Sequence, residues 1–382
     1  MVKYVYKKRG LTILFSIIDW FLKWLPKRKV VNKNYYSKIL IVNFGHIGDA
    51  ILLSPFLSIL KSRFEKAEID VLTNPYSENV FKRIKSVNRV ISFLPFWGNQ
   101  KRKKGDFFKS FISFFILIQT LKKRKYDLSF DTKGDPLVIL LLFLARIKRR
   151  IGYDHGGLGN FLTDVPVLNE KQHQIFIYLD LLELLGIEIE KENIKLNWPL
   201  LAEERQWANN FLFRKGVRKN DVLIIMHPGS RDPSRMWPVA HWHKLIKELL
   251  NSAPVKIILV VGKGEENLIK QITKGINDSN VIQVINPNLS DLAALIAWAK
   301  IFIGVNSGPG HLAAALNIPV VSIFSAANDP VRWRPFTKRL HLFYCSLPCK
   351  NCQKKSCKEL TCLKLIKPHK VASVILEALK FS

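Results

Sequence analysis

The sequence predicts an α/β protein of two Rossmann-like halves facing a central cleft, and three strand–turn–helix corners carry that prediction. In the most informative corner the apolar run Ile301–Val305 stops at Asn306-Ser307-Gly308-Pro309-Gly310-His311 and continues as a small-residue helix. In the second, Lys38–Val42 runs into Gly45-His46-Ile47-Gly48-Asp49, and the apolar residues that follow recur at helical spacing as far as Arg63. In the third, Val222–Met226 runs into His227-Pro228-Gly229-Ser230-Arg231, trailed by Arg235, Trp237 and Pro238.

The elements follow in order. Residues 1–37 precede the first strand, and Leu11–Leu25 within them confines Thr12, Ser16, Asp19 and Lys23 to one narrow helical stripe. Such a helix is roughly 22 Å long, short of the roughly 30 Å hydrocarbon core, and basic runs flank it. A helix lying in a membrane interface fits better than a span, with a soluble docking helix as the alternative; a signal peptide is disfavoured by Asp19 and by the lack of a small-residue cleavage site. Residues 38–198 then alternate strands (Lys38–Val42, Ala67–Leu72, Arg89–Phe93, Tyr126–Asp131) with helices, among them Phe107–Leu121, Val138–Ala145 and Gln172–Leu185. Lys191–Pro199 reads as the linker.

The second half, 199–345, repeats the design. Strands are expected at Val222–Met226, Lys256–Val261, Val281–Val284, Ile301–Val305 and Pro319–Phe324, with helices at His241–Asn251, Glu265–Gly275 and Ser290–Ala299 between them. Alternating βα units imply mainly parallel sheets with right-handed crossovers. Residues 346–382 form a Cys-rich tail and a last helix. Four of the five cysteines fall in Cys349–Cys362, so no disulfide framework supports the domains. Cys349, Cys352, Cys357 and Cys362 allow a small zinc knot, but the wider second spacing favours a reduced or locally disulfide-bonded tail.

Nearly half the residues are hydrophobic, which excludes a disordered chain. The formal charge of +30 calls for an anionic partner. The dense runs Lys7–Arg9, Lys27–Lys29, Lys101–Lys104 and Lys122–Lys125 each flank an aromatic-rich apolar segment, which favours an anionic membrane surface over nucleic acid.

The corners carry the chemistry. At Ser307–His311 the free N–H groups and the dipole of a helix start suit a phosphate; Gly308 and Gly310 allow close backbone approach and Pro309 suits a first turn. His311 either donates to that phosphate or caps its own turn. Asp49 reads as a helix cap or as a general base facing the cleft. Ser230, Arg231 and Arg235 form a solvated loop or a cationic site for a departing diphosphate. Glu265 suits a ribose hydroxyl or a helix cap. The order Gly-x-Gly-x-x-Gly of a nicotinamide-binding turn is missing from Gly45–Asp49, and no Asp-x-Asp metal motif stands out.

In order along the chain, IVNFGHIGDAILLSPFLSILKSRF, YDLSFDTKGD, RRIGYD, MHPGSRDPSRMWPVAHW, LSDLAALIAWAKIFIGVNSGPGHLAAAL and the cysteine tail resemble glycosyltransferase family 9, the lipopolysaccharide heptosyltransferases. The resemblance implies a GT-B fold and inverting sugar transfer with no cofactor and no required metal. It also implies a nucleotide-diphosphate sugar donor, with ADP-heptose expected, and an anionic lipid-linked glycan acceptor. By motif position Asp49 would be the catalytic base and Gly45, His46 and Gly48 its acceptor-side turn. Ser230, Arg231, Arg235, Ser307, Gly308, Pro309, Gly310 and His311 would hold the donor diphosphate. Asn306 and Glu265 would lie near the donor sugar or nucleotide. Asn306 stands where the family usually has aspartate, and Arg235 where the heptosyltransferases carry lysine. The expected location is the inner face of the cytoplasmic membrane. A non-catalytic nucleotide-sugar-binding relative and a GT-B sugar epimerase are the alternatives; retention of Asp49 argues against the first.

Overall fold

The computed structural model describes residues 19–20, 35–97, 106–349 and 352–380. Apart from Asp19 and Trp20, the expected interfacial helix at Leu11–Leu25 lies outside them, as does the run Lys101–Lys104. The chain divides into two compact units, residues 1–194 and 195–382.

The first unit runs β1 (Lys38–Asn43), α1 (Ile47–Leu52), α2 (Ser54–Arg63), β2 (Glu68–Thr73), α3 (Glu78–Phe81), β3 (Arg89–Ser92), α4 (Asp106–Arg124), β4 (Leu128–Asp131), α5 (Pro136–Leu144), β5 (Arg149–Gly152) and α6 (Gln174–Glu183). Its strands lie in the order β3-β2-β1-β4-β5, all parallel. The middle strands are near-continuous apolar runs because helices cover both faces of a parallel sheet. In β1 every residue after Lys38 is buried. On one face Leu40, Val42 and Leu72 pack under Phe114, Leu117 and Leu121 of α4 and Val138, Leu141 and Leu142 of α5.

The second unit continues with α7 (Ala202–Arg214), β6 (Val222–His227), α8 (Val239–Ser252), β7 (Val255–Val261), α9 (Glu266–Ile272), β8 (Val281–Ile285), α10 (Leu289–Ile296), β9 (Ile301–Val305), α11 (Gly308–Ala315), β10 (Val320–Phe324), α12 (Pro330–Trp333), β11 (Leu340–Tyr344), α13 (Thr361–Lys364) and α14 (Pro368–Lys380). Its sheet is again parallel, in the order β11-β10-β9-β6-β7-β8. Both units are Rossmann-like, as expected.

Two strands were absent from the sequence reading. The segment at β5 is Arg-Arg-Ile-Gly, with a charge where a core residue belongs. Arg149 is nevertheless only 2% exposed, because Asp164 (2.9 Å), the Tyr36 hydroxyl (2.8 Å) and the Leu184 carbonyl (3.0 Å) accept from its guanidinium. The edge strand β11 is part exposed and so lacks a buried strand's apolar run.

The last helix, α14, packs on α8, its Val371, Ala372 and Ile375 joining Leu245, Ile246 and Leu249 in the core. The Trp237 indole N–H donates to the carbonyls of Leu363 and Ile366, both at 3.2 Å. All five cysteines are free thiols, and among the described residues no group of three Cys, His, Asp or Glu is placed to hold a metal ion. No helix among the described residues is long and apolar enough to cross a membrane.

Ile375 is fully buried, so Ile375→Ala should cost about 2–5 kcal/mol of stability through lost transfer energy and the cavity left behind. Urea denaturation measures this, and a loss below about 1 kcal/mol would place α14 outside the cooperative core.

Candidate active site

In an open parallel sheet the crevice lies beyond the carboxyl ends of the strands, where the strand order reverses. In the first unit that reversal falls between β1 and β4, in the second between β6 and β9. Each site is built from the two loops that leave those ends.

In the first unit the loop after β1 is fastened from several sides. Asn43 Oδ1 accepts from Gly45 N (3.0 Å), and the Gly45 carbonyl accepts from Asn74 Nδ2 (2.6 Å) and the Ser77 hydroxyl (2.8 Å). Gly45 is required here, since a Cβ on it would lie 2.4 Å from the Asp49 Cβ. Gly48 and Asp49 occupy the first turn of α1, and the exposed His46 precedes it. Asp49 Oδ2 accepts from the His46 N–H at 2.9 Å, so the carboxylate does cap its helix. Its other oxygen is engaged elsewhere.

That second engagement comes from the loop after β4. Asn43 Nδ2 donates to Thr132 Oγ1 (2.9 Å), which donates to the Val42 carbonyl (2.9 Å). Asp131 accepts from the amides of Lys133 (3.0 Å) and Asp135 (2.9 Å), and Asp135 caps α5 at Leu137 N (2.9 Å). A loop held in this way presents Lys133, whose ammonium pairs with Asp49 Oδ1. The Tyr178 hydroxyl of α6 donates to the same oxygen at 3.1 Å, and the Lys133 ammonium lies 5.5 Å from the Tyr178 ring centre. Sequence reasoning gave Lys133 and Tyr178 no role. The signal for Lys133 was its place at the carboxyl end of the strand beside β1; Tyr178 had none.

Electrostatics follow from this packing. Burial pushes the Asp49 carboxyl up, but Lys133 and the His46 amide outweigh it and hold it at about 2. Burial likewise opposes the Lys133 charge, yet Asp49 and Tyr178 hold that ammonium above the ordinary lysine range. Asp131, buried and close to Asp135, is pushed up to about 8 despite its amide donors. At neutral pH the site thus contains an ionised pair, with a buried carboxyl nearby whose proton affinity is raised.

In the second unit the loop after β6 and the helix after β9 come together. Ser307 precedes α11 in extended backbone, and its hydroxyl does not cap the helix. It lies 3.4 Å from His227 Nδ1 and donates to the Val305 carbonyl at 3.2 Å. Gly308 and Pro309 open α11, and Gly310 and His311 follow, both buried. Without a side-chain cap, the first turn keeps its anion-binding character. Burial lowers His227 to about 4, so its ring is neutral at neutral pH.

Arg235 sits in a single 3-10 turn, Pro233–Arg235, and pairs with Asp232 at 2.8 Å. The Asn328 amide, oriented to satisfy its neighbours, accepts from Arg235 Nε and Asn306 Nδ2, both at 2.9 Å. Arg235 and Asn306 are thereby joined through a residue that sequence reasoning missed. Ser230 Oγ accepts from Asp232 N at 3.4 Å, and Arg231 is exposed. Glu265 Oε2 accepts from Gly262 N (2.8 Å) and lies against Gly229, where a Cβ would come within 2.0 Å of it.

The family model for Glycosyltransferase family 9 (heptosyltransferase) matches residues 114–363. Lipopolysaccharide heptosyltransferase 3 of Escherichia coli is 29% identical over 306 residues, covering 78% of this chain and 86% of that protein. A glycosyl transferase family 9 structure from Veillonella parvula superposes with a TM-score of 0.75 at 19% identity, covering 91% of this chain and 99% of the other. The ADP-heptose lps heptosyltransferase II of E. coli gives 0.72 at 19% identity, covering 90% and 98%. These likenesses show the GT-B fold.

Replacing Lys133 by Met should raise the Asp49 carboxyl by about 1–3 pH units, the range an adjacent cation accounts for. Carbon NMR of the labelled aspartates measures it; an Asp49 titration that does not move would show that Lys133 does not set its charge.

Proposed function

The chain belongs to glycosyltransferase family 9, and on that footing we propose that it transfers a heptose from ADP-heptose to a lipopolysaccharide-type acceptor, with inversion and without a metal. Activity on a nucleotide-sugar donor is common ground for the family. The heptose and the lipopolysaccharide acceptor are supported by the names of the relatives, such as lipopolysaccharide heptosyltransferase 3. The observation that carries the reaction is the Asp49 carboxylate, held ionised at the strand-order reversal of the first unit.

Asp49 takes the proton of an acceptor hydroxyl. The hydroxyl oxygen bonds to the anomeric carbon while the bond to the diphosphate oxygen breaks, its electron pair leaving with the nucleoside diphosphate. A carboxylate at about 2 is a weak base, so it acts once bond formation has made the hydroxyl acidic. Gly45, His46 and Gly48 form the backbone wall on the acceptor side. Arg231, Arg235 and Ser230, with the α11 start at Ser307–His311, receive the diphosphate charge. Asn306 and Glu265 contact the donor sugar or nucleotide. Position 306 carries an amide, Asn306. Here the amide joins Arg235 through Asn328 without adding a negative charge beside the diphosphate.

The expected partner surface is the cytoplasmic face of an anionic membrane, with residues 1–37 as the anchor. The apolar faces and flanking lysines of that segment support it.

Asp49→Asn should lower kcat roughly a hundredfold or more while leaving nucleoside diphosphate binding unchanged. Turnover within threefold of wild type, measured by release of ADP from ADP-heptose, would leave Asp49 a helix cap only. Arg235→Ala should weaken ADP binding more than adenosine binding in calorimetry. Equal losses would remove Arg235 from the diphosphate.

A further inference from the structure

Two helices on one side of the first unit's sheet each expose apolar side chains and end in exposed cations. Helix α4 turns Phe114, Leu117, Ile118 and Leu121 inward, and its outer row leaves Ile112 45%, Phe115 49% and Ile116 60% exposed. These three sit at helical spacing on one stripe, so the exposure is patterned and not scattered. Beside it, α5 covers the same side of the sheet and exposes Phe143 and Leu144. The turn at Gly159–Phe161 packs on α5, with Phe161 against Phe143 at 4.4 Å. At this turn the Asp19 carboxylate accepts from Leu158 N (3.0 Å) and its carbonyl from Asn160 Nδ2 (3.3 Å), and the neighbouring Trp20 is 59% exposed.

Charge identifies what this face meets. From Leu121 to Tyr126, at the end of α4, the sequence holds four Lys or Arg residues and no carboxylate. Arg124 is committed to Glu68 and Asp70, whereas Lys123 and Lys125 at the end of α4, and Arg146 and Lys148 after α5, are exposed. A second copy of the chain would bring the same cations against these and be repelled. A lipid surface with anionic headgroups takes apolar side chains and the lysines around them together.

We infer that the outer faces of α4 and α5, with Trp20 beside them, seat the protein on an anionic bilayer. The contact adds a structured surface to the anchor proposed for residues 1–37. It stands or falls separately from the sugar-transfer reading.

The test uses the full chain and vesicles of phosphatidylcholine mixed with phosphatidylglycerol. The triple variant Ile112→Ser, Phe115→Ser, Ile116→Ser should lower the partition coefficient roughly tenfold or more, since it removes three apolar side chains from the contact. Phe213→Ser, at a 65% exposed position of the second unit, should leave it unchanged. Lys123→Gln with Lys125→Gln should weaken binding to these vesicles at low salt and have little effect at high salt. Circular dichroism and ADP binding should match wild type in every variant. A triple variant that partitions like wild type overturns the proposal. So does one that instead converts an oligomer to monomer in sedimentation velocity, which would make the face a contact between copies. Unchanged partitioning with new protease cleavage within residues 1–30 would mean that the N-terminal segment covers it, and also overturns the proposal.

Discussion

Parallel strand pairing is the constraint on which this molecule depends. A parallel sheet cannot be closed by tight hairpins, so each strand must be followed by a crossover, and the loops that begin the crossovers collect at one edge. Within each unit the sheet is wound outward in two directions, from β1 to β2 on one side and β4 on the other, and from β6 to β7 and β9. The two loops flanking each reversal diverge and leave room between them. Asp49 and Lys133 meet at one reversal; His227 and Ser307 meet at the other. No residue of these pairs is near its partner in sequence, and only the register of the central strands makes them neighbours.

Burial decides which of these groups carry charge. Asp49 and Asp131 are both enclosed, yet one ionises far below the usual carboxylate range and the other near 8. The difference is the company each keeps. Asp49 has a lysine; Asp131 has only amide dipoles and a second carboxylate nearby. Neutral His227 is a polar side chain that serves hydrogen bonding without adding charge to its loop. Lys133 and Tyr178 converge on a single oxygen of Asp49, and the remaining oxygen is held by the helix start. The carboxylate is therefore fixed in rotation as well as in charge.

Much of this was legible in the sequence. The buried central strands announced themselves by unbroken apolar runs, and the glycine turns marked where they ended, so the βα order and the two Rossmann-like units could be read directly. Gly45, Asp49 and the Ser307–His311 helix start stood out because each turn needs its residue types locally. Lys133, Tyr178 and Asn328 did not stand out, because their importance comes from tertiary contact: nothing in Asp-Thr-Lys-Gly-Asp says that its lysine reaches a carboxylate 84 positions away. The strand β5 escaped for a related reason. An arginine at a core position contradicts the apolar pattern unless its buried partners are known, and Asp164 and Tyr36 are distant in sequence.

The loop that carries Arg235 has its supports more than a hundred residues further along the chain. Ser234 donates from its amide to the Lys355 carbonyl (3.1 Å) and from its hydroxyl to the Lys354 carbonyl, and Trp237 is bonded to Leu363 and Ile366. A ribosome delivers the chain from its N-terminal end, so the β6 strand and its loop emerge well before these partners exist. The cationic turn must wait, unsupported, until the Cys-rich tail arrives to brace it. Maturation of this half of the protein is thus coupled to synthesis of residues 354–366, and a nascent chain halted before residue 354 would hold the strands of the fold without a finished loop.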